Sequence, residues 1–225
     1  MLAPWQRQSF LMSLTVASRA ALWERGIIRK YPRDAGLILE GDDSDRVMVL
    51  LEGAARVSSV SEAGVEVLLA IVNAGDLVGA VAALSNGPRS ASVTCIDDTE
   101  VLVIPSAEFR DLVRSDGDLA LAVLDACASL FRELNRRYVE NATRDVLSRV
   151  AIRLVDLAQL VNEVGHESPV ALSLTQQEVG AWVGASRESA GKALQRLVAL
   201  GLIETSRSTV TIIDMPGLRA QARGQ

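Results

Sequence analysis

The stretch that most constrains this fold runs from Leu174 to Asp214. Thr175-Gln176-Gln177-Glu178 has the T-x-x-E form of a capping box, in which the Thr hydroxyl and the Glu carboxylate satisfy free amides at the start of a helix. Gly184-Ala185 then supplies a tight turn, and Ser186 can cap a second helix running from Arg187 to about Leu200. Leu202-Ile203-Glu204 and Val210-Thr211-Ile212-Ile213 flank Ser206-Arg207-Ser208-Thr209 and read as a two-stranded ribbon. A helix, a short turn, a second helix and a ribbon make a winged helix-turn-helix.

The second helix of such a unit enters the major groove of DNA with its N-terminal residues against the base edges. Arg187, Glu188 and Lys192 lie there. Arg or Lys donates to guanine O6 and N7, and Glu accepts from cytosine N4, so this trio can distinguish bases. Thr175, Gln176, Ser186 and Ser189 suit phosphate, aided by the amides at the two helix N-termini. Three charged side chains alone would read as a solvated helix face. The capped and turned frame around them favours DNA.

Upstream, Leu121, Leu124, Ala128, Phe131, Asn135, Tyr138 and Ala142 follow one another at alternating steps of three and four residues. That is a heptad seam, which predicts a coiled-coil-like homodimer, with a core helix packed on the N-terminal domain as the alternative. Asn135 favours the dimer, because a lone Asn in a seam fixes register and partner number. Asp145 can cap a following helix from Val146 to Leu160, and a hinge is expected near Asn141–Asp145.

From Ile27 to Ile104 the chain reads differently. Short β-branched runs such as Val47–Leu51 and Val65–Val72 are separated by turns at Gly41-Asp42, Glu52-Gly53 and Gly75-Asp76, the pattern of a compact β sandwich or barrel. An amphipathic helix through Phe10, Leu14 and Ala17 is expected ahead of it, in preference to a weak signal peptide. The organisation is therefore α+β: a helix and a compact β domain over 1–105, a dimerisation helix over 106–143, and a winged helix-turn-helix over 144–225.

Residues 1–143 carry 14 Lys and Arg against 20 Asp and Glu, whereas 144–225 carry nine against eight. The acidity sits in the front domain, so the overall charge of −5 does not exclude a nucleic-acid partner for the rear one. Cys95 and Cys127 have neither metal-site spacing nor the density of a disulfide scaffold, which suits a reducing cytoplasm and small core residues, with a thiol switch as the lesser alternative. His166 stands alone in a polar loop and reads as solvated. No apolar stretch is long enough for a membrane span, and no nucleophile, P-loop or metal cluster indicates an enzyme.

The segment LTQQEVGAWVGASRESAGKALQRLVALGLI closely resembles the DNA-binding domain of the CRP/FNR family. Arg187 and Glu188 match that family's base-reading pair, while Lys192 stands where many members have Arg and lacks the bidentate fork. The glycine pattern over 36–79 resembles the family's cyclic-nucleotide-binding β-roll. The resemblance implies a homodimer on a palindromic DNA site, with RNA polymerase as a further partner if the protein is an activator.

Cyclic-nucleotide binders of the family carry Gly-Glu-Leu and, further on, Arg-Ser or Arg-Thr. This chain has Gly79-Ala80-Val81 and Arg89-Ser90. Ala80 cannot accept from a ribose hydroxyl. Leu134 and Asn135 stand where cyclic-AMP binders of the family offer Thr and Ser. Gly79, Ala80, Arg89, Ser90, Leu134 and Asn135 thus form a candidate effector pocket that is degenerate for cyclic nucleotides. The expectation is a regulator without a resident cofactor and without strong dependence on cyclic AMP. A response to a cyclic nucleotide or another small anion held by Arg89 and Ser90 is the alternative, and Arg89 could equally be a salt bridge holding the β-roll together. The iron–sulfur and haem sensors of the family need ligands that this sequence does not display.

Overall fold

The computed structural model describes residues 9–60, 62, 64, 66–161, 169–172, 174–207 and 209–224. His166, Val65 and Ser208 lie outside the described residues. The chain divides into two compact units, Arg7–Glu133 and Leu134–Gln225, and the division falls inside a long helix.

In the N-terminal unit, α1 (Phe10–Ser13) and α2 (Val16–Arg25) replace the single helix expected through Phe10, Leu14 and Ala17. The chain is extended at Leu14 and Thr15, and Thr15 caps α2 by accepting from the Ser18 amide at 3.1 Å. Phe10 and Leu14 are buried, but the break turns Ala17 to solvent and brings Leu22 to the core instead.

The strands are β1 (Ile27–Tyr31), β2 (Gly36–Ile38), β3 (Arg46–Glu52), β4 (Ala54–Val60), β5 (Glu66–Asn73), β6 (Leu77–Val78), β7 (Ser92–Cys95) and β8 (Thr99–Pro105). They form two antiparallel sheets, ordered β1-β8-β3-β6 and β2-β7-β4-β5. Among them lies α3 (Ala80–Ser85), and α4 (Ser106–Ser115) follows. Strand β3 is apolar from Val47 to Leu51, and Val47–Leu50 are buried, because both faces of that stretch are covered. Met48 and Leu50 join Val101, Val93 and Ala55 in one core, while Val47 and Val49 join Leu102, Ile104, Phe109 and Leu22 in the other. Cys95 belongs to the first core and Cys127 packs against the second; burial pushes both thiols up, away from reactive thiolate.

Asp116 interrupts the helical stretch after α4 and starts α5 (Gly117–Thr143) by accepting from the Asp118 and Leu119 amides, each at 3.0 Å. Leu119, Ala122 and Val123 of α5 are buried against the helix-facing core. Leu121, Leu124, Phe131 and Tyr138 point away from it and are 66%, 64%, 64% and 77% exposed. Asn135 is exposed on the same stripe, and Ala128 is half-buried.

The C-terminal unit comprises the end of α5, α6 (Val146–Val161), β9 (Val170–Leu172), α7 (Gln176–Val183), α8 (Arg187–Ala199), β10 (Ile203–Ser206), β11 (Thr209–Ile212) and α9 (Met215–Arg223). Asp145 caps α6 as its sequence position predicts, accepting from the Ser148 amide at 2.8 Å. Val150, Ala151, Leu154 and Ala158 of α6 are buried at helical spacing, and Val179, Trp182, Leu194 and Leu197 complete the core with Leu218 of α9.

Four charged side chains join α5 to α6. Arg136 meets Glu140 at 2.6 Å and Asp156 at 3.1 Å, and Arg153 meets the same two carboxylates at 2.7 and 3.0 Å. Arg149 adds a strut, donating to Asn141 Oδ1 at 3.0 Å and to the Val183 carbonyl at the end of α7 at 2.6 Å.

Candidate nucleic-acid interface and sensor pocket

The capping box at the start of α7 is complete. The Glu178 amide donates to Thr175 Oγ1 at 3.2 Å, and the Thr175 amide donates to Glu178 Oε2 at 2.7 Å. Thr175 Oγ1 also donates to Glu178 Oε2 at 2.7 Å, so its hydroxyl proton is committed to the cap and turned from phosphate. Ser186 caps α8 by accepting from the Ser189 amide at 3.1 Å and donates to Ser189 Oγ at 3.0 Å. This leaves the Ser189 hydroxyl proton as the donor of the pair.

Between the two helices, Gly184 takes the left-handed conformation at φ +63° and ends α7 in a tight turn. The consequence is that α8 lies across α7 with one face inward. Ala190, Gly191, Ala193, Leu194 and Leu197 are buried, while Arg187, Glu188, Lys192 and Gln195 are exposed. A Cβ on Gly191 would stand 3.2 Å from Gln176 Oε1, so the glycine lets Gln176 of α7 lie close against α8.

The result is a shallow groove lined by Gln176, Arg187, Glu188, Gly191, Lys192 and Gln195. It brings together Gln176 and the three residues expected from the sequence to read bases, Arg187, Glu188 and Lys192. Lys192 Nζ and Glu188 Oε1 are 2.7 Å apart, one helical turn from each other, and both are largely exposed. Such a pair is worth less than about 1 kcal/mol in water and can be exchanged for contacts to bases. Sequence reasoning missed Gln195. Its spacing of three from Lys192 and seven from Glu188 was the available signal. Strand β9 pairs with β11, making the wing a three-stranded sheet ordered β10-β11-β9, with Arg207 exposed at the β10–β11 turn.

In the N-terminal unit, Gly79, Ala80 and Arg89 come together. Arg89 is 4% exposed, and its guanidinium donates to the carbonyls of Gly79 at 3.1 Å and Arg46 at 2.5 Å, with Asp45 at 3.6 Å. Burial lowers the Arg89 pKa from its usual value, against which the Asp45 carboxylate works. Asp45 is itself held below the ordinary carboxylate range, chiefly by its hydrogen bond from Arg46. Ala80 is buried, and Ser90 is exposed. Leu134 and Asn135 are exposed on α5, in the C-terminal unit. Arg89 therefore cross-links the β-roll, and Ala80 offers no polar side chain to a ribose. These residues do not fit a cyclic nucleotide as a recognition set.

Among the described residues no cluster of His, Cys, Asp and Glu could hold a metal, and no helix is long and apolar enough to cross a membrane.

Residues 28–116 match the profile of the cyclic nucleotide-binding domain, and residues 148–221 match that of the Crp-like helix-turn-helix domain. The chain is 29% identical over 188 residues to the cAMP-activated global transcriptional regulator Vfr of Pseudomonas aeruginosa, covering 82% of this chain and 88% of Vfr. It is 29% identical over 186 residues to the cAMP-activated global transcriptional regulator CRP of Salmonella typhimurium, covering 82% of this chain and 89% of that protein. In fold it is similar to CLP, the c-di-GMP responsive global regulator of Xanthomonas campestris, with a TM-score of 0.77 at 22% identity over 88% of this chain and 99% of CLP. With a cyclic-nucleotide-binding-type β-roll, a long helix and a helix-turn-helix in that order, the chain belongs to the CRP/FNR family of DNA-binding transcription regulators.

Proposed function

We propose that this regulator acts as a homodimer that reads a palindromic DNA site through α8 of each subunit, and that cyclic AMP is not its obligatory switch. The observation that carries the DNA reading is the outward face of α8, where Arg187, Glu188 and Lys192 line one groove on a helix whose opposite face is core. Arg187, Glu188 and Lys192 read bases, and Gln176, Ser189 and the two helix N-termini hold phosphate. Thr175 and Ser186 act indirectly, by fixing those N-termini.

The dimer reading rests on the exposed stripe of Leu121, Leu124, Phe131 and Tyr138, which would leave a row of large apolar side chains in water on a lone chain. Two α8 helices related by a two-fold axis fit half-sites about one helical turn apart. By resemblance to the family each half-site carries a GTG-like core. The protein has no catalytic role and works in the cytoplasm, where its DNA is, with RNA polymerase as partner if it activates.

Two features of the β-roll support independence from cyclic AMP: the committed guanidinium of Arg89 and the apolar Ala80. Vfr and CRP are named as cAMP-activated, and CLP as c-di-GMP responsive, so kinship alone does not fix an effector.

Selection from a random duplex library without added nucleotide, together with light scattering, tests the proposal. A palindromic consensus and a dimeric mass are expected. A monomer at micromolar concentration, with an unchanged mass in Leu124→Asp, would exclude the dimer; selection only in the presence of cyclic AMP would exclude effector independence.

A further inference from the structure

Gln195 lines the recognition groove beside Arg187, Glu188, Lys192 and Gln176 but, unlike them, has no role in the proposed DNA contacts. It is exposed, and among the described residues its amide has no hydrogen-bond partner, so nothing in the fold of this chain employs it. Its position is set by the helix. It follows Lys192 by three residues and Glu188 by seven, which places all three on one face, and the groove itself extends to it. Arg196, the next residue, is also exposed but lies about 100° further round the helix and does not line the groove.

Along the helix axis Gln195 lies about 4.5 Å beyond Lys192 and about 10 Å beyond Glu188. Base pairs are stacked roughly 3.4 Å apart, so a helix lying along the major groove carries Gln195 about one base pair past the position that Lys192 addresses. The groove favours that posture over an end-on one. Gln176 borders it beside Gly191, midway along α8, so the concave surface follows two turns of the helix and not only its tip.

The side-chain amide of Gln carries one acceptor and two donors, the complement of adenine, which offers N7 and the N6 amino group in the major groove. Arg187 and Lys192 are donors only, and Glu188 is an acceptor only. We infer that Gln195 is a further specificity-determining residue, selecting adenine at the base pair adjacent to that read by Lys192, on the side away from Glu188. This inference rests on the reading of α8 as a base-reading helix.

Duplex selection followed by titration with single-position variants of the selected site tests it, using the full-length wild type, Gln195→Ala and Gln195→Glu. The wild type is expected to prefer adenine about tenfold at one position in each half-site. Gln195→Ala should lose the preference at that position and keep the rest of the consensus. Gln195→Glu, which presents acceptors only, should move the preference there toward cytosine. A consensus unchanged in both variants, or a loss of affinity spread evenly over all sequences, overturns the inference while leaving the DNA reading intact. A wild type that selects no sequence overturns both.

Discussion

The guanidinium of Arg153 meets the carboxylate of Glu140 at 2.7 Å, joining α6 to the last turns of α5. Both side chains are almost wholly buried, and among the described residues Arg136 and Asp156 join them in a cluster of two positive and two negative charges. Removing one partner of a buried pair leaves the other desolvated and uncompensated, at about 3–5 kcal/mol. Arg153→Ala should therefore lower the denaturant midpoint of the C-terminal unit sharply, and the double variant Arg153→Leu, Glu140→Leu should recover part of the loss. A double variant no more stable than Arg153→Ala would contradict the account.

Asp116 gives the N-terminal unit an acid dependence. Its Oδ2 accepts from Ser18 Oγ at 2.6 Å, and its Oδ1 takes two amides at the start of α5. The Ser18 hydroxyl, followed by the Leu119 amide, holds its pKa below the usual aspartate value. A carboxylate depressed in the folded state stabilises it above the unfolded pKa of about 3.9 and loses that contribution as pH falls through the folded value. Acid unfolding below about pH 4 should thus become shallower in Asp116→Ala, which should also lose about 1–2 kcal/mol at neutral pH from the missing cap. Circular dichroism across that range measures both.

Within the groove, a base contact and a phosphate contact should separate by their signatures. Glu188→Ala should relax preference at one position by about 1–3 kcal/mol of discrimination, while Gln176→Ala should weaken all sequences by a similar factor. Gel-shift titrations against matched and single-mismatch duplexes distinguish the two. A uniform loss from Glu188→Ala would remove it from the base readers.

Arg89 should behave as a structural cross-link. Arg89→Met strips the carbonyls of Gly79 and Arg46 of their donor, so the N-terminal unit should lose about 1–3 kcal/mol. Calorimetry with cyclic AMP should show no micromolar binding to the wild type, and DNA affinity should rise less than tenfold when the nucleotide is added. Tight binding with a larger gain would restore the nucleotide to the role of switch.

How much of this was legible in the sequence depended on whether the signal was local. Thr175 with Glu178, Ser186 and Asp145 each cap a helix through atoms three residues away, and all three were readable. The break at Thr15 was missed although its cap on the Ser18 amide is equally local, because the apolar spacing from Phe10 and Leu14 on to Ala17 runs across it and reads as one helix. Strand β9 escaped notice since three residues carry no period, and only its pairing with β11 defines it. Helix α9 carried no expectation from the sequence; it holds Pro216 and Gly217 in its first turn, where a missing amide proton costs little, and is capped by Asp214, which accepts from the Gly217 amide at 2.9 Å. The partners of Arg89 stand 10 and 43 residues away, so its commitment to Gly79 and Arg46 had no trace in local pattern.

Helix α8 keeps its two duties on opposite sides, with small aliphatic residues holding it to the core and polar ones facing the groove. Substitutions at Arg187, Glu188, Lys192 and Gln195 leave that packing untouched. Duplicated copies of this chain are thus free to drift toward different operators without first becoming unstable, and a redesigned target requires changes at a handful of solvent-facing positions on an otherwise unaltered scaffold.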